Sequence, residues 1–388
     1  MKALALAPQS TVHSLSQPRL QAAAQAPGPP QTRPNQAEQW HEHSQSLSFE
    51  EAAALVRGAH AADGVREEVE VPDLRDWVFG ARGGEMTLEA RRGGEGSMRG
   101  PLPLRDLAFT QLCQRIGAPA GFIRELPEAL QLTNMNWRLQ VEERSARLRL
   151  SNGEVRGVLG ESYSAFDDDS VLEAVGEALD RAGLLREVRA RATAVGTHTI
   201  LRLTLPTESV AIKVRDVIEY GLDVGNSELG VRSVQLIPVT YRLLCKNGMR
   251  GRYAQAAMRL RHVGESERLH ERLLDAIPRA LEAARADIAL WTRAASALVT
   301  SALAELQGLR TLGLRRGEQD AVGRQLLAAA EAGGANVAGD DLEEALRVPT
   351  TLYDVANAIT ATARERGDVA KRLALEEVGY RYLARAVG

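Results

Sequence analysis

Thr197-His198-Thr199-Ile200-Leu201-Arg202-Leu203-Thr204-Leu205 sets Leu201, Leu203 and Leu205 on one side of an extended chain and Arg202 and Thr204 on the other. That two-residue period belongs to a half-buried β-strand. Val188 to Ala194 and Val210 to Tyr220 read as strands on either side of it. Val231 to Leu244 reads as a long strand, or a pair of strands broken near Pro238. The short links favour antiparallel pairing. From Glu265 to Leu306 the period changes. Leu269, Leu273, Ile277, Leu281, Ala284, Ile288, Trp291, Ala295 and Leu298 recur at steps of three and four, which makes a long helix, with a kink or a junction of two helices expected at Pro278. A sheet followed by helices gives an α+β fold. It has a mainly antiparallel sheet core with flanking helices, a long helix after the sheet and a helical C-terminal part. The long apolar stripe suits either a coiled-coil seam between protomers or a cap over the chain's own sheet.

Residues 1–46 hold six of the fifteen prolines with many Gln and Ala, and read as a disordered tail. Ser48 and Glu51 have capping-box spacing ahead of a short helix. Strands are expected near Glu68–Pro72 and Trp77–Ala81, and the Gly-rich basic stretch Arg91 to Gly100 reads as a loop. Leu104 to Ile116 has a helical face closed by Gly117 and Pro119, and a second short helix is expected from Ala120 to about Leu130. Alternation from Trp137 to Leu150 predicts a hairpin with a basic face, and Val155 to Leu159 another strand. Asp167 to Ala182 predicts a helix whose first turn, Asp167-Asp168-Asp169, complements the helix N-terminus; a metal site is the rival explanation. Asn247-Gly248 reads as a tight turn. The chain is thus expected to divide into the tail 1–46, an α+β core 47–262 and a helical region 263–388. Within the last part a linker falls near 333–339 and helices at 352–386, broken near Gly367.

The 388 residues suffice for two ordinary domains. Two cysteines, Cys113 and Cys245, make no secreted disulfide framework, so a reducing cytoplasm is the expected setting. No apolar run reaches the roughly 20 residues of a membrane span, and the first residues make a poor signal peptide. There is no GxSxG, HExxH, Walker or zinc-ligand spacing, and no His at a recognisable distance from either Cys, so neither a catalytic set nor a cofactor is expected. His41 and His43, in the tail, are too few to hold a metal.

Charge is placed unevenly. The chain carries 48 basic and 51 acidic residues, yet Val231 to His262 contains seven cations and no Asp or Glu. Arg232, Arg242, Lys246, Arg250, Arg252, Arg259 and Arg261 therefore need anions from elsewhere. A single-stranded nucleic acid would supply phosphates to them and bases to Tyr241 and Tyr253. The alternative is pairing with Glu154 to Asp180, which holds eight carboxylates and one Arg. In Asn226-Ser227-Glu228, Glu228 has the chemistry of a base or metal ligand. A turn with Asn in a left-handed conformation and Ser or Glu capping backbone amides explains the trio as well. Convergence of Asp216, Asp223 and Glu228 on a divalent ion would define a metal-dependent nuclease.

Asn226-Ser227-Glu228-Leu229-Gly230-Val231-Arg232-Ser233-Val234, with Tyr241-Arg242-Leu243-Leu244-Cys245-Lys246-Asn247-Gly248-Met249, resembles a bacterial family known as phage/plasmid-like protein, a domain of unknown function. Gln111 to Pro119, Glu161 to Asp167 and Leu352 to Thr360 agree with it, so the resemblance covers about residues 100–365. It implies an association with mobile elements and DNA metabolism. A fainter resemblance is to phage single-strand annealing proteins, which implies a sheet with a long helix, assembly into homo-oligomers and DNA in a basic groove. The expected function is non-enzymatic binding or annealing of single-stranded DNA in recombination, repair or mobile-element biology. An oligomeric scaffold protein is the alternative.

Overall fold

The structure, a computed structural model, describes residues 47–91, 100–141, 143–195, 197–213, 216–242, 247–250, 258–332, 349–364 and 369–387. The expected tail and the 333–339 linker lie outside them, as do most of the Gly-rich loop and the break at Gly367.

A first module contains α1 (Phe49–Asp63), β1 (Arg66–Val71), β2 (Trp77–Arg82), β3 (Glu85–Ala90), β4 (Leu102–Pro103), α2 (Asp106–Arg115), α3 (Ala120–Glu125), α4 (Glu128–Val141), β5 (Ala146–Ser151) and β6 (Glu154–Leu159). Ser48 and Glu51 close α1 with the expected capping box. Two three-stranded antiparallel sheets, in the orders β1-β5-β6 and β2-β3-β4, enclose a core of Trp77, Phe79, Leu88, Leu112, Met135, Leu139 and Leu148 with α2 to α4. The hairpin expected from Trp137 is not formed. Gln131, Met135 and Leu139 are buried at helical spacing, so α4 runs on to Val141 and only Ala146–Ser151 becomes a strand. The apparent alternation there included Trp137, which is 62% exposed on the outer side of α4.

The second module follows with α5 (Asp168–Arg181), β7 (Arg189–Val195), β8 (His198–Thr204), β9 (Val210–Lys213), β10 (Asp216–Asn226), β11 (Val234–Arg242), β12 (Asn247–Arg250) and β13 (Met258–Leu260). Then come α6 (Ser266–Ser296), α7 (Ala302–Gly308), α8 (Arg316–Ala332), α9 (Leu352–Arg364) and α10 (Val369–Val387). The seven-stranded sheet has the order β12-β11-β10-β8-β7, with β13 on the remaining part of β11 and β9 on β10. Every registered pairing is antiparallel, so the chain has the α+β fold expected of it.

The alternation of β8 is used as its sequence implies. Leu201 and Leu203 join Leu222, Val224 and Leu236 under α1, α5 and the first half of α6. On the opposite face Ile200 meets Leu373 of α10. Pro238 does not break β11. It pairs with Leu222 on one side and on the other falls between β13, opposite residues 234–236, and β12, opposite 239–242. No outer strand needs its missing N–H there. Asn247-Gly248 is not the turn but part of β12, paired with Arg242 and Tyr241.

α6 is one continuous helix through Pro278. Its apolar stripe is committed within the chain. The first half covers the sheet, and Leu290, Trp291 and Ala294 enter a second core with Tyr353, Ile359, Tyr380 and Leu383 of α9 and α10. In that core Asp287 accepts a hydrogen bond from the Tyr380 hydroxyl (3.1 Å). Burial pushes its carboxyl up to about 6, against the smaller opposite effect of that bond. A raised carboxyl pKa means that the folded state holds its proton more tightly than the unfolded chain. Stability is lost as pH rises from the usual carboxylate range through about 6. Asp287→Asn keeps the acceptor without the charge, so it is expected to stabilise the protein at neutral pH by roughly 2–3 kcal/mol. The gain should shrink as the pH of thermal melts is lowered toward about 4. A lower melting temperature for the variant at neutral pH would contradict the burial of an ionised carboxylate.

Candidate functional site

β10 ends at Asn226, and the next four residues run between the two modules. Ser227 fixes the backbone: its hydroxyl donates to the Thr197 carbonyl (2.6 Å) and accepts from the amides of Leu229 and Val231. Gly230 takes the left-handed conformation that allows the return into β11 (φ 68°). Asn226 itself remains in the strand, so the left-handed position expected there belongs to Gly230, while the expected capping by Ser227 and Glu228 is present. Leu229 inserts into the first module, where Gln111 donates to its carbonyl (2.7 Å). Its side chain lies over Gly157, where an added Cβ would come within 3.0 Å of Leu229 Cδ2.

Glu228 is the centre of this junction and is 5% exposed. Arg66 of β1 donates to both of its oxygens (2.8 and 2.7 Å), and Arg156 of β6 donates to Oε2. The Asp168 backbone N–H, the first of α5, donates to Oε1 (3.2 Å). Burial pushes the Glu228 carboxyl up, but the charges of His60, Arg66 and Arg156 together outweigh it and hold the group at about 2. The Asp167 side chain, at the capping position of α5, makes no cap hydrogen bond, so a residue sixty positions away caps the helix.

Asp168, 4% exposed, turns into the same junction. Its Oδ1 accepts from Asn226 Nδ2 (2.7 Å) and its Oδ2 from the Thr199 hydroxyl. His60, in the last turn of α1, puts Nε2 at 2.9 Å from Asp168 Oδ2 and Nδ1 at 3.8 Å from Glu228 Oε1. Beyond them Asp63 joins Arg105 (2.8 Å) and Arg156 (3.5 Å). The His60–Asp168–Glu228 set was missed because its members are 108 and 60 positions apart, with His60 alone on an amphipathic helix. Only the Asp-Asp-Asp run and Glu228 gave a signal.

Four carboxylates of the acidic stretch pair with cations outside the basic window. Asp167 binds Arg149 (2.8 Å), Asp169 binds Arg57 (3.0 Å), Glu154 binds Arg105 (3.0 Å), and Glu177 binds Arg181 and His270. None of these cations belongs to the window. Of the window's members, Arg259 in β13 and Arg261 just after it are exposed, without an ion pair among the described residues, while Leu260 between them enters the core. Arg232 is half-buried; burial, with the Arg232 charge adding to it, holds the His198 imidazole down at about 4. Tyr241 is 4% exposed and lies under the Arg191 guanidinium (4.2 Å), so its ring is covered and corrects the expectation of a base-stacking surface. The backbones of Arg242 and Arg250 lie in β11 and β12. Lys246, Arg252 and Tyr253 lie outside the described residues. Asp216, Asp223 and Glu228 do not converge. The first two stand seven residues apart on one strand, about 23 Å along it, and Asp223 is held by Arg202 (2.7 and 2.9 Å).

Residues 155–385, more than half of the chain, match the family described as a domain of unknown function (DUF932), and the chain belongs to that family. No curated protein matches it, and no solved structure does. The matched region starts one residue before Arg156, so His60 and Arg66 reach Glu228 from outside it. No helix among the described residues is long and apolar enough to cross a membrane.

Glu228→Gln keeps the shape but leaves Arg66 and Arg156 facing a neutral amide. The expected loss is about 3–5 kcal/mol, read as a fall in the urea midpoint at neutral pH. A loss below about 1 kcal/mol would mean that the two guanidinium groups do not depend on this carboxylate.

Proposed function

We propose that the protein binds single-stranded DNA along the edge of its seven-stranded sheet. There β12 and β13 add successive pieces of the acid-free window to β11. The observation that carries this reading is the commitment of Glu154, Asp167, Asp169 and Glu177 to other cations, with Arg259 and Arg261 exposed and without an ion pair among the described residues. Cations in that state attract a polyanion and release its counterions on contact. Arg232, Arg242, Lys246, Arg250 and Arg252 extend the same positive segment in the sequence, with Tyr253 as its remaining aromatic. Phosphates, rather than base edges, would provide most of the contacts, so little sequence preference is expected. The protein would act in the cytoplasm as a homo-oligomer, without chemistry of its own, in recombination, repair or mobile-element biology. The resemblance to annealing proteins supports that setting. The apolar stripe of α6 lies inside the fold, which weakens the alternative of a scaffold that docks partners through this helix.

Fluorescence anisotropy of a labelled single-stranded oligonucleotide across a salt series tests the proposal. Binding is expected at about 50 mM salt and should weaken linearly on logarithmic axes. Arg259→Glu with Arg261→Glu should weaken it at least about tenfold, because each reversal turns a phosphate contact into a repulsion. Both sites are exposed, so circular dichroism should be unchanged. No binding at low salt, or equal binding by the double variant, would overturn this assignment.

A further inference from the structure

His60, Asp168 and Glu228 are brought together from the end of α1, the start of α5 and the loop after β10. Each offers one donor atom, and the three donors lie within 4.8 Å of one another. Ligands on a shared ion with bonds of about 2.0–2.2 Å stand roughly 3–4.4 Å apart. His60 faces the two carboxylates with different ring nitrogens, Nε2 at 2.9 Å from Asp168 and Nδ1 at 3.8 Å from Glu228, so one of the two would hold the ion while both carboxylates stay within reach of it. We propose that these three residues form a binding site for a divalent first-row metal ion of the Zn2+ or Mn2+ type.

The donor set points to that class. One imidazole beside two carboxylates suits Zn2+, Mn2+ or Fe2+ better than Mg2+ or Ca2+, which prefer oxygen alone. The outer partners that orient such ligands are present. Thr199 and Asn226 each hold one oxygen of Asp168, and Arg66 and Arg156 hold Glu228. Among the buried polar atoms here without a hydrogen-bond partner are two that can accept, His60 Nδ1 and Asn226 Oδ1, and Asn226 is only 2% exposed. A plain ion-pair network leaves these two lone pairs without a role, whereas a bound cation or a water on it would use them.

Charge does not forbid the ion. Asp63, Asp168 and Glu228 carry three negative charges against two on Arg66 and Arg156, which leaves one negative charge in excess before His60 is counted. Arg105 and Glu154, which also touch this group, cancel each other. His60, at 15% exposure, is the most open of the three and gives the ion its way in. An ion there would fasten α1 of the first module to α5 and the β10 loop of the family domain. This inference does not depend on DNA binding.

Metal content decides it. The full-length protein would be equilibrated with Zn2+ or Mn2+, desalted and analysed by plasma mass spectrometry. The expected result is about one equivalent per chain, with visible d–d absorption when Co2+ is substituted and a lower melting temperature after chelation. His60→Gln should lose the ion and the Co2+ bands while still melting cooperatively. Should that variant fail to fold, the wild-type Co2+ spectrum still decides, because imidazole and carboxylate ligation at low coordination number gives d–d bands far stronger than the weak ones of aquated Co2+. Uptake below about a tenth of an equivalent by the wild type, or equal uptake by a folded His60→Gln protein, would overturn the proposal. His60 would then be an ordinary bridge between two carboxylates.

Discussion

The carboxylate of Glu228 carries obligations to three parts of the fold at once. It neutralises Arg66 from β1 and Arg156 from β6, and it caps the first N–H of α5. A buried guanidinium without a counter-ion is costly, and so is an unpaired helix N-terminus. Each of these groups is therefore tied to the position of residue 228. That position is fixed in turn by Ser227, which holds the Thr197 carbonyl and two amides of its own loop, and by Gly230. The two modules meet where Leu229 fills the space over Gly157 and Gln111 holds its backbone. A short loop after the longest strand thereby sets how the first module sits against the sheet.

The junction also has an effect on charge elsewhere. Asp167, Asp168 and Asp169 at the start of α5 are drawn to Arg149, to His60 with Asn226 and Thr199, and to Arg57. Most of these partners come from the first module. None of these three carboxylates is paired with Arg259 or Arg261, which face solvent on the edge of the sheet. The placement of positive charge on that edge thus follows from how the negative charge is committed at the junction. No excess of cations over the whole chain is required, and the net charge is −3.

Much of the fold was legible in the sequence because its period survives burial. Leu201 and Leu203 face the core as their spacing implies, and the stripe of α6 lies where steps of three and four put it. The capping box at Ser48 is a local signal and gave a local result. Failures came where a short pattern fits two periods. Around Trp137 alternating residues were also one exposed and one buried face of α4, and the helical reading is the one that buries Met135 and Leu139. Pro238 looked like a break only because the gap between β12 and β13 lies in the third dimension. The junction was half legible. Asn226-Ser227-Glu228 stood out as a distinctive trio, but nothing local relates Glu228 to Arg66, or His60 to Asp168. Their contact depends on the packing of two modules.

Native-state hydrogen exchange on the unmodified protein addresses the central constraint most directly. If the Glu228 clamp joins both modules into one cooperative unit, amides in β1 and β5 should open with the same free energy, and the same urea dependence, as those in α5 and β10. Opening of β1 and β5 at a clearly lower free energy, while α5 and β10 keep full protection, would show that the first module unfolds independently and that the clamp does not hold the structure together.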